Sequence, residues 1–408
     1  MIRHQVYFDT LGSMREDSAS WRSVFAGLSV LRLIDSCVES GASIDPANWA
    51  QLHSVRTAID NVNEGDPVRG VLTTVLEEAT RRATIDEVVC SSLLAYGRAL
   101  DYEASWGLAT DVFSTVAKLT RPEKSPKLAV EANILIGGTA RRNGDWETSS
   151  RAYSQAAYIA DTMGDRQGVL KVQVGIANNY LAKGNHPHAQ TILDDVIVQA
   201  TDENFSEIKG LALHSRAGLA QLRGEKAEAV RLTYEALSLT SSPAARDSVL
   251  EDLAVAFFEV GMRDAARDAH LILASTSQLK WVRSQAMINL MELAAIDGMR
   301  DAFDGYAAEL RKASLDSWLK SHFLLFLGEG LARFDQYEAA EEVLEEAVAF
   351  ASANQIHALA FRSEAALTDV RARARKAAPA PSFEPHPPEV LAAAHSIAEL
   401  RKVALTSA

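Results

Sequence analysis

Gly261-Met262-Arg263-Asp264-Ala265 recurs as Gly298-Met299-Arg300-Asp301-Ala302, 37 residues downstream. The two pentapeptides close a longer series. The glycines of Asn143-Gly144-Asp145, Lys183-Gly184-Asn185 and Arg223-Gly224-Glu225 lead to Gly261 and Gly298 at steps of 40, 40, 37 and 37 residues, and a further step of 37 reaches Phe334-Asp335. A fixed period in this range marks a stacked repeat, in which each unit packs only on its neighbours. Such an array needs no central core, which a chain of 408 residues would outgrow.

Around Gly224, Leu211, Leu213, Ala217, Ala220 and Leu222 fall at helical spacing before the glycine, and Ala227, Val230, Leu232, Ala236 and Leu237 do so after it. No alternating β-branched run interrupts them, so the spacing predicts two helices joined at the glycine. Glycine ends the first helix because it enters the left-handed region without a Cβ clash. Asp145 and Asn185, each directly after its glycine, suit the N-cap of the second helix. Each unit reads as a helix–turn–helix hairpin.

This pattern resembles the tetratricopeptide repeat, whose second helix carries small residues five and twelve positions past the turn. Here the first is Ala189, Ala229, Ala266 and Ala340, with Ser149 close in size, and the second is Ala156, Ala236 and Ala347. Seven positions before the turn the small residue is Gly137, Ala177, Ala217, Ala254 or Gly328. Small side chains where helices cross let the backbones approach. The resemblance covers Pro126–Ala353. The family's usual repeat of about 34 residues is shorter. The extra length implies longer helices or linkers, as in its large-helix members, the signalling-peptide-responsive regulators and kinesin light chain. Asn133 and Gln173 depart from the pattern at an apolar position, and Phe303 and Met291 at small ones. The unit at Gly298 is therefore expected to pack with a wider or shifted crossing.

The resemblance implies an all-α fold, a right-handed α-solenoid of tetratricopeptide-like hairpins with an N-terminal helical cap and a C-terminal tethered helix. Residues 1–88 lack the repeat pattern and read as the cap region or as a distinct small domain, and 89–376 form the array, with a divergent unit at 89–125, six clearer units over 126–357 and a terminal helix at 358–376. A Pro-rich linker at 377–388 and an amphipathic helix at 389–408 follow. In the cap, Trp21–Val38, Trp49–Val62 and Val68–Arg82 read as helices, with Asp45-Pro46 and Asp66-Pro67 as N-cap followed by proline. The linker holds Pro379, Pro381, Pro385, Pro387 and Pro388, after the basic Arg371, Arg373, Arg375 and Lys376. The last helix gathers Val390, Leu391, Ala394, Ile397, Ala398 and Leu405 on one side. It folds back to cover the end of the array, or docks on a second protomer or a partner.

A net charge of −13 argues against a nucleic-acid partner, because phosphate binding rests on clustered Lys and Arg. Cys37 and Cys90 lie in apolar helical patterns and read as buried thiols of a reducing compartment. The N-terminal residues lack the apolar core of a signal peptide, and no run approaches the ~18 apolar residues of a membrane helix. Cytoplasmic localisation is expected. His186-Pro187-His188 has no third ligand in range, and Asp194-Asp195 and Glu341-Glu342 read as solvated faces. Gly137-Gly138 lies mid-helix, where close packing explains it, and no glycine-flanked serine is present. No catalytic residue, cofactor or metal is expected.

The resemblance further implies a concave groove lined by the first helix of each hairpin. Its polar candidates are Arg141, Arg142, Lys171, Asn178, His214, Gln221, Glu251, Glu292, Glu329 and Arg333. The early members are basic and the later ones acidic, Arg333 excepted, an arrangement that would orient a peptide by charge. Asn178 matches the asparagine of the family's carboxylate clamp, but Ile134 and Val174 stand where its lysine belongs, so a clamp is not supported. The expected function is a non-enzymatic scaffold or adaptor that binds a protein or peptide in the groove, without direct nucleic-acid or membrane contact. Two alternatives stand beside it: a peptide- or ligand-responsive regulator of an effector, suggested by the long period, and a self-assembling structural subunit joined through the C-terminal helix.

Overall fold

The computed structural model describes residues 3–40, 49–82, 85–313, 315, 317–354, 356–373 and 386–407. The Asp45-Pro46 helix start, Arg375, Lys376 and most of the Pro-rich stretch fall outside the described residues. Two compact units, 1–196 and 197–408, divide the chain. The first holds α1 (Gln5–Ser13), α2 (Ala19–Ser40), α3 (Trp49–Asp60) and α4 (Pro67–Arg81). The pairs α5 (Glu87–Tyr102) with α6 (Trp106–Leu119) and α7 (Pro126–Arg142) with α8 (Trp146–Thr162) follow, then α9 (Arg166–Ala182). The unit boundary falls inside α10 (His186–Asp202). The second unit contains α11 (Ser206–Leu222) with α12 (Lys226–Leu239), α13 (Pro243–Glu259) with α14 (Arg263–Thr276), and α15 (Lys280–Ile296) with α16 (Arg300–Lys312). It ends with α17 (Ser317–Arg333), α18 (Tyr337–Ala353), α19 (His357–Arg371) and α20 (Pro388–Ser407). Among the described residues there is no strand. No helix among them is long and apolar enough to cross a membrane.

The glycine series marks the turns as its spacing predicts. Gly144, Gly184, Gly224, Gly261 and Gly298 all have φ between 71° and 83°, and Asp335 takes the same left-handed place, at φ 59°, in the sixth hairpin. At Gly144 the Asp145 amide donates to the Ala140 carbonyl at 2.8 Å and the Gly144 amide to Arg141 at 3.1 Å, which satisfies carbonyls the helix end would leave bare. The Asp145 carboxylate accepts from the Thr148 amide at 3.0 Å, and hydrogen bonding from the Thr148 side chain, then its amide, holds its pKa below the usual range.

The change of step from 40 to 37 residues has one source. The first helices α7, α9, α11, α13, α15 and α17 all have 17 residues. The second helices α8, α10 and α18 also have 17, but α12 and α14 have 14 and α16 has 13. The extra length over the usual repeat thus lies in helices, not linkers. The short helices stop in extended backbone, at Thr240 (ψ 120°), Ser277 (ψ 134°) and Ala313 (ψ 144°). Hydroxyl contacts hold two of these stops. Thr240 Oγ1 donates to the Ala236 carbonyl at 2.8 Å, and Ser277 Oγ donates to Asp247 at 2.6 Å while accepting from the Leu279 amide at 3.1 Å.

Large side chains from second helices sit where glycines of first helices have no Cβ. The buried Tyr153 ring lies against both Gly137 and Gly175, and a Cβ on Gly137 would come within 2.6 Å of it. Phe113 does the same at Gly97, Leu344 at Gly328 and Phe303 at Gly330. The polar departures are absorbed locally. Asn133 is buried and donates to the Ala129 carbonyl at 2.8 Å, whereas the buried Gln173 Oε1 has no partner.

The expected shift at the Gly298 unit is present. α12 packs along α13, α14 along α15 and α18 along α19, but the α16 backbone stands off from α17, meeting it through the Phe303 ring at Gly330, and α17 lies mainly along α15. Phe303 and Met291, too large for their positions, are fully buried there. A cleft of about 420 Å³ opens beside the shortened α16, walled by Leu310, Leu315, Phe323, Leu327 and Val343. The repeated pentapeptide also separates by context. Arg263 Nη1 bonds Asp297 at 2.9 Å, whereas Arg300, 37 residues on, places its guanidinium 5.0 Å from the Phe334 ring and donates to Gln336 at 3.0 Å.

α20 folds back in cis but does not cover the end of the array. It packs on α12 and α14, the second helices of two successive hairpins, and α19 packs on α17 and α18 at the end. Val390, Ala393 and Ile397 join the buried cluster that contains Val230, Ala265 and Ala269. Arg401 pairs with Asp268 at 2.9 Å. The reason is apolar match: α12 and α14 present alanine-rich surface on which a helix can sit close.

In the first unit one buried cluster runs from Tyr7 on α1 to Ala152 on α8. Cys37 and Cys90 are buried and not joined in a disulfide, and burial pushes the Cys90 thiol up to about 12. The Asp66 carboxylate caps α4 through the Val68 amide at 2.9 Å, with Pro67 at the first helical position as its sequence implies. Helix α1 has no counterpart in the sequence reading. It is clasped by His4, whose Nδ1 lies 2.5 Å from Asp111 of α6 and whose Nε2 lies 3.1 Å from Asp35 of α2. Both ring nitrogens must donate, so the imidazole is cationic. Burial alone would lower its pKa, but the hydrogen bond and charge of Asp111, joined by those of Asp35, outweigh it and raise the pKa above 6.5.

Two predictions follow from these contacts. Gly137→Ala and Gly330→Ala are each expected to destabilise by about 1–3 kcal/mol through overpacking. Gly218→Ala, on an open face of α11, should stabilise by about 0.5–1 kcal/mol. Urea unfolding midpoints decide between them, and equal shifts at all three sites would refute the close-approach account. The His4 clasp is fully present below the unfolded pKa of about 6.5 and is lost as pH rises through the higher folded value. Hydrogen exchange of the α1 amides, corrected for intrinsic rate, should therefore accelerate above neutral pH, and the acceleration should vanish in His4→Gln.

Candidate functional site

All ten expected groove residues lie on first helices: Arg141 and Arg142 on α7, Lys171 and Asn178 on α9, His214 and Gln221 on α11, Glu251 on α13, Glu292 on α15, and Glu329 and Arg333 on α17. The basic members other than Arg333 belong to the first unit, and the acidic ones, with Arg333, to the second.

In the first unit the basic side chains are mostly engaged. Arg142 Nη2 reaches both oxygens of Asp101 on α5, at 2.5 and 2.6 Å. Arg141 turns inward toward the Tyr153 hydroxyl. Burial pulls its guanidinium pKa down, the contact with Tyr153 partly opposes this, and its Nε has no partner. Lys171 is exposed and Asn178 half-buried. The neighbouring Asn179 is buried and meets the Ser149 hydroxyl at 3.0 Å, so it serves packing. His188 of the His-Pro-His turn sets its ring edge-on to Tyr180 at 4.3 Å. Among the described residues no group of three or more His, Cys, Asp or Glu is placed to hold a metal ion.

In the second unit successive first helices are joined by polar rungs. His214 Nε2 of α11 lies 2.6 Å from Asp252 of α13. Asn289 Nδ2 of α15 donates to Glu251 Oε1 of α13 at 2.8 Å, and Gln285 Nε2 donates to Asn289 Oδ1 at 3.1 Å. Behind them His270 of α14, 3% exposed, brings Nδ1 to 3.3 Å from Glu251 Oε2. Gln221, Glu292, Glu329 and Arg333 are half-buried. Farther along, Trp318, His322 and Phe326 form a ring ladder on α17, with centroids 3.9 and 5.8 Å apart, and Arg362 of α19 lies 5.6 Å from the Phe326 ring.

Sequence reasoning on charge alone missed Trp281, Gln285, His270, Asn289 and the α17 ladder. Two signals were present. Trp281 and Trp318 stand one period of 37 residues apart, and Trp318, His322 and Phe326 are spaced i, i+4, i+8. This arrangement offers hydrogen-bonding amides, carboxylates and ring faces, but no nucleophile with an adjacent base.

No protein-family model matches the sequence, and neither does any curated protein. Solved structures with similarity include the Rap conjugation gene regulator of the plasmid pLS20 in complex with the Phr* peptide, at 12% identity and a TM-score of 0.45, covering 85% of this chain and 96% of that one. A Rap protein complexed with competence and sporulation factor has 13% identity and a TM-score of 0.33, covering 86% and 98%. A circular tandem repeat protein has 14% identity and a TM-score of 0.19, covering 93% and 98%. None reaches a TM-score of 0.5, so the fold stands on the helices of this chain: an all-α array of tetratricopeptide-type hairpins.

Asn289→Ala would leave the mostly buried Glu251 carboxylate without its donor and should destabilise by about 1–3 kcal/mol. Lys171→Ala, at an exposed site, should stay within about 0.5 kcal/mol. Thermal unfolding of the two variants separates a rung from a solvated side chain.

Proposed function

We propose that the first-helix face of the 197–408 unit binds a peptide or an extended protein segment, and that the chain acts as a non-enzymatic scaffold or adaptor. The observation that carries this reading is the aromatic surface on α17 and α19. Trp318, the first ring of the α17 ladder, is 46% exposed, and Phe361 of α19 is 70% exposed. Large exposed aromatics are costly to leave in water and are enriched where proteins meet partners. The polar rungs on α11, α13 and α15 supply amide and carboxylate groups that can match a peptide main chain. On this reading residues 1–88 complete the array as its N-terminal cap, a role supported by the buried cluster they share with α5–α8.

Selection from a random peptide display library on the full-length protein tests it. Peptides that bind saturably, with affinity falling about tenfold or more in a Trp318→Ala, Phe361→Ala variant, are the expected result. An empty selection, or peptides indifferent to both substitutions, would overturn the proposal.

A further inference from the structure

Glu251 is a mostly buried carboxylate toward which no arginine of its own helix, α14 or α15 turns. Its side chain is 14% exposed. The arginines of α13, α14 and α15 all turn elsewhere: Arg246 to the Leu237 and Thr240 carbonyls, Arg263 and Arg267 to Asp297, and Arg283 to the Ser277 carbonyl. His270 Nδ1 approaches Oε2 but makes no hydrogen bond with it, and both atoms are left buried and unpartnered. His270 is thus the one basic group placed against this oxygen, and a buried carboxylate oxygen with no hydrogen bond is costly, the ordinary remedy being an opposite charge that also donates hydrogen bonds.

The amide chain leading to Glu251 sharpens the point. A carboxylate only accepts, so Asn289 must present its NH2 to Glu251 and its oxygen to Gln285. Gln285 must then present its own NH2 to Asn289, and its Oε1 is left facing the other way. The orientation is fixed by the carboxylate rather than by a free choice of amide flip. Gln285 is 8% exposed, and its Oε1 is buried without a donor. Two acceptors, one of them charged, therefore lack donors. One turn before Gln285, the Trp281 indole N–H is buried without an acceptor. The half-buried acids Glu292 and Glu329 extend along the same series of first helices.

We infer that this cluster of polar groups on α13 and α15 receives a basic side chain of the bound peptide, lysine or arginine, whose N–H groups complete Glu251 Oε2 and Gln285 Oε1. The main-chain carbonyl of the same peptide residue meets the Trp281 N–H. A guanidinium or ammonium group carries donors and no acceptor, which is the complement these atoms lack. This inference rests on the peptide-binding reading and adds the chemistry of one ligand position to it.

The display selection separates the two. Selected peptides should carry Lys or Arg at one fixed position. Replacing that residue by norleucine, or pairing the peptide with Glu251→Gln protein, should each weaken binding about tenfold or more, measured by fluorescence anisotropy at low salt. Gln285→Leu gives a second variant should Glu251→Gln fail to fold, with circular dichroism melts as the control. Peptides that bind through Trp318 and Phe361 with no basic preference, and equally to wild type and Glu251→Gln, would overturn the inference while leaving the peptide-binding reading intact. A crystal structure of the peptide complex with only a water molecule against Gln285 Oε1 would do the same. A selection that yields no peptide at all removes both.

Discussion

The closest constraint in this protein is the contact of a ring with a backbone that has no Cβ. Tyr153 lies against Gly137 and Gly175, Phe113 against Gly97, and Phe303 against Gly330. Each contact sets how near a second helix comes to a first helix. Because a repeat array is held only by neighbouring contacts, that spacing is passed on unit by unit. The rungs of the second unit have narrow distance limits of their own. Hydrogen bonds of 2.6 Å between His214 and Asp252 and of 2.8 Å between Asn289 and Glu251 tolerate shifts of tenths of an ångström before they weaken.

Charge along this face is decided by pairing rather than by sign. Arg142 is spent on Asp101, and Arg141 is drawn into the packing around Tyr153. The gradient from basic to acidic that the residue types suggest is thus weaker than a count of side chains implies. Glu251 is the opposite case, a mostly buried carboxylate toward which no arginine of α13, α14 or α15 turns. A ligand meets what the neighbouring helices have not already neutralised.

The second helices supply the variation. Shortening α12, α14 and α16 alters the step without touching the 17-residue first helices, so the face built from those helices keeps its register. The cost of the change falls elsewhere: a cleft opens beside α16, and α17 moves onto α15. The alanine-rich backs of α12 and α14 accept α20, which is why the last helix packs partway along the second unit rather than on its final hairpin.

The turns, the hairpins and the helical class were legible in residues alone, because left-handed glycine and apolar periodicity are properties of a few consecutive positions. The small residues likewise marked where helices cross, and the bulk of Phe303 and Met291 foretold the irregular unit. Other features could not be read this way. The His4 clasp joins residues 31 and 107 positions apart, and the Glu251 rung spans 38. Whether a charge is free, paired or buried depends on distances between side chains far apart in the chain, and only the packing of the helices fixes those distances. Local conformation followed from local chemistry; the docking of α20 and the unmet acceptors of Glu251 and Gln285 arose when the helices came together.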